Sequence, residues 1–155
     1  MRSRSVRSLV SVVGLTVAAA VAVAALAACS TGAATAPTIS DAWVRPAMGP
    51  DRPAAGYMVI TNTSSQADAL LSVSTPGASS VEIHETATDA SGMMGMHPIP
   101  RLEVPAGGTV KLEPGGYHLM IMGLTRPLEV GQKVELELVF ERAGTVVVEA
   151  DVRQG

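Results

Sequence analysis

Lys133-Val134-Glu135-Leu136-Glu137-Leu138-Val139-Phe140-Glu141 is the stretch whose reading decides the fold class. Val134, Leu136, Leu138 and Phe140 share one parity, and Glu135, Glu137, Val139 and Glu141 share the other. Successive Cβ atoms of a strand point to opposite sides of the pleat, so this period of two describes a strand with one face in a core and the other mostly in water.

Outward from it, no segment after Thr38 shows a helical period, and short β-branched runs recur between Gly, Pro, Asn and Asp. The pattern predicts strands at Thr38–Arg45, Ala55–Thr63, Ala69–Ser74, Ser80–Thr86, Met94–Glu103, Thr109–Glu113, Tyr117–Leu124, Lys133–Glu141 and Thr145–Val152. Turn chemistry separates them, for instance Met48-Gly49-Pro50-Asp51, Asp89 to Gly92 and Pro114-Gly115-Gly116. Strands so closely spaced predict an all-β sandwich or barrel, one domain over residues 38–155.

Ahead of that domain, Arg2, Arg4 and Arg7 precede an Ala/Val/Leu run from Leu9 to Ala27, as in a secretory signal. A membrane helix would also be long and apolar. The run ends, however, at Leu26-Ala27-Ala28-Cys29-Ser30, which resembles a bacterial lipobox, and Cys29 is the only cysteine in the chain. The expectation is a signal peptide over 1–28 that is removed, then lipidated Cys29 and a flexible tether to residue 37. The domain would be exported and held on the extracytoplasmic (periplasmic) side of the cell membrane. Loss of 1–28 leaves 8 of the 11 basic residues against 14 acidic ones, a formal charge of −6. With four scattered aromatics (Trp43, Tyr57, Tyr117, Phe140), this excludes nucleic acid as a partner.

The chemistry concentrates in His and Met. In Tyr117-His118-Leu119-Met120-Ile121-Met122, alternation puts His118, Met120 and Met122 on one face and Leu119 and Ile121 on the other. His84 lies in a strand where Val81 and Ile83 face the core. Met93, Met94, Met96 and His97 follow Asp-Ala-Ser-Gly, where packing demand is low. Imidazole and thioether together suit a soft ion, Cu(I) foremost. Thioethers also suit an oxidising compartment, because they form no disulfides and lose no proton on coordination.

His84, then Met96, then 21 residues, then His118-Leu119-Met120 resembles the metal signature of the PCu(A)C family of periplasmic copper chaperones. Asp41-Ala42-Trp43-Val44-Arg45-Pro46, Tyr57-Met58, Val81 to Glu85, Pro105 to Gly108 and Pro114 to Met120 extend the likeness over most of the chain. The resemblance implies a cupredoxin-like Greek-key β-sandwich or barrel, with ligands on loops and strand ends at one surface. It implies Cu(I) bound by His84, Met96, His118 and Met120, with Met94 and His97 as supplementary candidates, and leaves Met122 to packing. Eleven residues rather than the signature's ten separate His84 from Met96, and a count of ten lands on Gly95, which has no donor. Met94 or Met96 therefore stands as the first Met ligand.

A blue-copper electron carrier would need a Cys thiolate that the mature body lacks. The implied function is a non-enzymatic copper chaperone serving a cuproenzyme such as a haem-copper oxidase in cytochrome c oxidase assembly, with a Sco-type thiol protein as a further partner. A copper buffer for metal tolerance and a non-metal adhesion or scaffold lipoprotein are the alternatives. No nucleophile motif or phosphate loop points to an enzyme.

Overall fold

The structure is a computed structural model that describes residues 35–47, 52–88 and 90–155. The expected signal peptide, Cys29, most of the tether and the Met48–Asp51 turn lie outside the described residues, as does Asp89.

Every regular element among the described residues is a strand: β1 Thr38–Arg45, β2 Ala54–Thr61, β3 Asp68–Ser74, β4 Ser80–Thr88, β5 Met94–Pro98, β6 Leu102–Val104, β7 Thr109–Leu112, β8 Tyr117–Met122, β9 Lys133–Phe140 and β10 Gly144–Val152. The all-β expectation holds, and β9 alternates between exposed and buried along most of its length as its sequence implies. Two ends differ for local reasons. β2 stops before Asn62, whose buried side chain takes over the backbone's role: Nδ2 donates to the carbonyls of Gln66 and Val104, and Oδ1 accepts from the Ser64 N–H. β8 stops at Met122 because Gly123 has a φ of 60°, a left-handed conformation that glycine adopts without strain.

The larger correction concerns Met94–Glu103, expected as one strand and found as two. Ile99 still donates to the Ile83 carbonyl at 2.8 Å, but Pro100 has no N–H, so the β4 partnership ends there. The chain then crosses to β3, with which β6 pairs through Leu70↔Leu102 and Asp68↔Val104.

That crossing curls the sheet. The strand order is β5-β4-β8-β7-β2-β1-β10-β9-β3-β6, which puts β5 and β6 at opposite edges. Only residues 99–101 join them, and three residues span at most about 11 Å. Ten strands about 4.8 Å apart would stretch far beyond that if flat, so the sheet must curl until the end of β5 and the start of β6 come near each other. The enclosed core contains Ile60, Leu70, Val104, Leu119, Ile121, Leu136 and Leu138, all fully buried, with Phe140 beside them. Asp68 ties β3 to the β9–β10 turn: its carboxylate accepts from the backbone N–H groups of Ala69, Arg142 and Ala143 at 2.8–3.0 Å. The outward face of β5, β4, β8 and β2 carries the candidate site.

Candidate metal centre

The β4–β8 ladder is antiparallel and pairs His84 directly with His118, so both imidazoles leave the same side of the sheet. Their ring centroids lie 5.7 Å apart with planes tilted by 45°. One step along, Glu82 faces Met120. Across the other edge of β4, Thr86 faces Met96 and Thr88 faces Met94. Parity then puts His84, Met96, His118 and Met120 on one face. Thr86 and Glu82 are four residues apart, about 13 Å along a strand, so the two thioethers flank the imidazole pair from opposite sides.

Met96, His118 and Met120 border one cavity of about 510 Å³, which Tyr57, Arg45 and Arg52 also line. The arrangement differs from the expected one in two ways. All four residues sit within strands rather than on loops, because the ladder registers carry them. Both imidazoles are buried, at 7% exposure each, whereas Met96 on the edge strand is 58% exposed.

The hydrogen bonds assign the imidazole lone pairs. A carbonyl oxygen can only accept, so His118 Nδ1, 3.1 Å from the Gly116 oxygen, carries the proton and leaves Nε2 with its lone pair. His84 is tied the other way round: Nε2 donates to the Glu82 carboxylate at 2.8 Å, which leaves the lone pair on Nδ1. His84 Nδ1 is the single buried side-chain nitrogen or oxygen among the described residues that lacks a hydrogen-bond partner. Such an orphan costs about 1–3 kcal/mol unless something binds it. Fixing one ring nitrogen by a carboxylate or carbonyl is how metal-ligating histidines are held in one tautomer.

The supplementary candidates separate. Met94 shares the Met96 face but is 71% exposed, one step nearer the hairpin tip. His97 pairs with Glu85 and lies on the opposite face, with its ring folded back toward Gly95. The structure does not bring His97 to the other histidines. On that reverse face Tyr117 also pairs with Glu85, and its hydroxyl is pushed above the usual tyrosine value by burial first, then by the charge of Glu85 and a hydrogen bond to it.

Glu82 is a partner that the sequence reading gave no role, although it stands two residues before His84 and so on the same side of the strand. The Gly116 carbonyl, Arg45, Arg52 and Tyr57 were also missed. Arg45 and Tyr57 reach the site through β1 and β2, whose register no local pattern reveals, and Arg52 from the segment just before β2. Among the described residues no group of three or more His, Cys, Asp or Glu could hold a metal ion.

The curled all-β sheet matches the cupredoxin-like fold of solved PCuAC domains. The copper-bound PCuAC domain from PmoF2 matches with a TM-score of 0.65 and 27% identity over 76% of this chain and 92% of that one. The Cu(I) form of DR1885 from Deinococcus radiodurans matches with a TM-score of 0.59 and 37% identity over 80% of this chain and 84% of that one. By sequence, the chain belongs to the family described as "Putative lipoprotein LpqE-like", whose model matches residues 37–152. A relative from Leifsonia xyli subsp. xyli, "Putative lipoprotein Lxx21020", is 36% identical over 115 residues, covering 74% of this chain and 68% of the relative.

Proposed function

We infer that the protein is an extracytoplasmic copper carrier that takes up Cu(I) through His84 Nδ1, His118 Nε2 and the thioethers of Met120 and Met96. The observation that carries this reading is the pair of oppositely tethered imidazoles, whose free nitrogens include one buried and unpartnered. Two neutral imidazoles and two neutral thioethers form a soft set suited to a monovalent ion, whereas zinc sites recruit thiolate or carboxylate. The copper-bound and Cu(I)-bound neighbours support copper as the cargo.

The exposed Met96 gives an incoming donor a first ligand to displace, so the ion can leave by stepwise exchange without catalysis. In this reading a copper centre of a haem-copper oxidase is the acceptor, a Sco-type thiol protein takes part, and lipidated Cys29 tethers the domain of residues 38–155 to the membrane. The name of the Leifsonia relative supports the lipoprotein part. X-ray absorption on protein loaded with reduced copper tests the site: mixed nitrogen and sulfur neighbours are expected. A shell without sulfur, or no binding, refutes it.

A further inference from the structure

The cavity that His118 borders is also lined by charge that the metal reading leaves unused. Arg45 comes from β1 and reaches the cavity because it pairs with Ala55, which in turn pairs with Met120. Its guanidinium donates to the Tyr57 hydroxyl at 2.8 Å and lies 5.6 Å from the centre of that ring, which fixes its direction while leaving other N–H groups unspent. Arg52 lines the same wall.

Neither arginine has a carboxylate partner among the described residues, which is also true of Lys111, Arg126 and Arg142; what sets Arg45 and Arg52 apart is that both line one cavity. None of the described residues lining the cavity is acidic. The chain as a whole has a formal net charge of −3, so two guanidiniums without a carboxylate partner among the described residues, lining one cavity, run against its overall sign.

We propose that Arg45 and Arg52 form a carboxylate-binding subsite beside the His118 and Met120 face. It holds the acidic group of whatever brings copper to the cavity or takes it away. The proposal rests on the copper reading for its purpose but not for its chemistry. A planar guanidinium fork matches a carboxylate, and the neutral ligand set adds no negative charge to repel one. A bound monovalent ion would attract it further. A cavity of about 510 Å³ has room for a small dicarboxylate or for the side chain of an acceptor protein.

The test uses metal-free protein, so it stands apart from whether copper binds. Succinate is titrated while NMR shifts of the Arg45, Arg52, Tyr57 and His118 resonances are followed at low ionic strength, and the titration is repeated in high salt. Binding is expected in the native protein and should be about tenfold weaker in the R45Q/R52Q double variant. Arg52→Gln alone, which breaks no hydrogen bond within the described residues, should lose part of that affinity and guards against a fold defect from freeing the Tyr57 hydroxyl. A parallel arm compares a short Met-Glu-Met peptide with its Met-Gln-Met counterpart. Preference for the glutamate peptide that disappears in the double variant assigns the subsite to an acceptor side chain. Succinate binding without that preference assigns it to a small carboxylate. Native protein that binds neither probe, or variants that bind both unchanged, overturns the proposal.

Discussion

Glu82 offers the sharpest test of how the imidazole pair is prepared. Its carboxylate holds His84 through Nε2 at 2.8 Å, and that bond alone dictates which ring nitrogen keeps its lone pair. Glu82→Ala removes the acceptor, frees the tautomer and lets the ring rock. Partners of this kind are worth about 10–100-fold in metal affinity. The Glu82 side chain is 47% exposed, so water substitutes for it in part, while His84 at 9% stays packed by its neighbours. The loss should therefore fall at the low end, about tenfold or 1.4 kcal/mol. Glu82→Gln keeps an acceptor oxygen in place and should lose about threefold at most. The assay is competition for Cu(I) against a chromophoric chelator of known affinity, with thermal melts of the metal-free variants to verify folding. Native affinity in Glu82→Ala, alongside a clear loss in His84→Ala, would refute the orienting role. A loss well beyond 100-fold would make Glu82 a ligand in its own right.

Leucine fills the space of methionine without its sulfur, so Met120→Leu and Met96→Leu should each weaken Cu(I) by at least about tenfold with little change in stability. Met94→Leu and His97→Ala should stay within about twofold in the same competition assay, since one is a step farther out and the other faces away. Ile121 is fully buried behind Met120, and Ile121→Ala should cost about 2–5 kcal/mol in denaturant unfolding. Tyr117 supplies a pH signature. Its native value is raised above 10.0, so as pH climbs past 10.0 the unfolded chain releases this proton before the folded one does. Its contribution is fully present below that pH and is lost as pH rises through the raised native value. Tyr117→Phe should remove that part of the alkaline loss of stability.

What local pattern could reveal was the parity of each strand. Val134 to Phe140 and His118 to Met122 alternate cleanly, and their faces follow from period two alone. Parity also held the Glu82 answer, since residues two apart share a face. It could not show that His84 stands directly opposite His118, because that depends on the β4–β8 register, which is set by long-range packing of Ile83, Leu119 and Ile121. Nor could it reveal Arg45 at the cavity, which requires the registers of β1 on β2 and of β2 on β8 together. The break at residues 99–101 was half visible: Pro98 precedes it and Pro100 lies within it, but the destination at β3 lies about 30 residues back in the chain.

The extra residue between His84 and Met96 finds its physical meaning in the hairpin register. In an antiparallel ladder two residues share a face when the register pairs one with a residue of the other's parity, and here His84 pairs with Pro98. Residues of even number on β5 thus share the His84 face, which includes Met94 and Met96 and excludes Gly95. The ladder runs without a shift from His84↔Pro98 to Thr88↔Met94, so nothing in the strands takes up an added residue. The added residue therefore falls in the connection between β4 and β5. A Met eleven positions after the His, as in the signature, would need a turn one residue shorter to present the same face. The side chain of His97 already crowds the reverse face at Gly95, where an added Cβ would sit 3.1 Å from its Nε2. A donor at position 95 would therefore meet His97, not His84. The choice narrows to Met94 or Met96, and of the two Met96 borders the cavity with His118 and Met120.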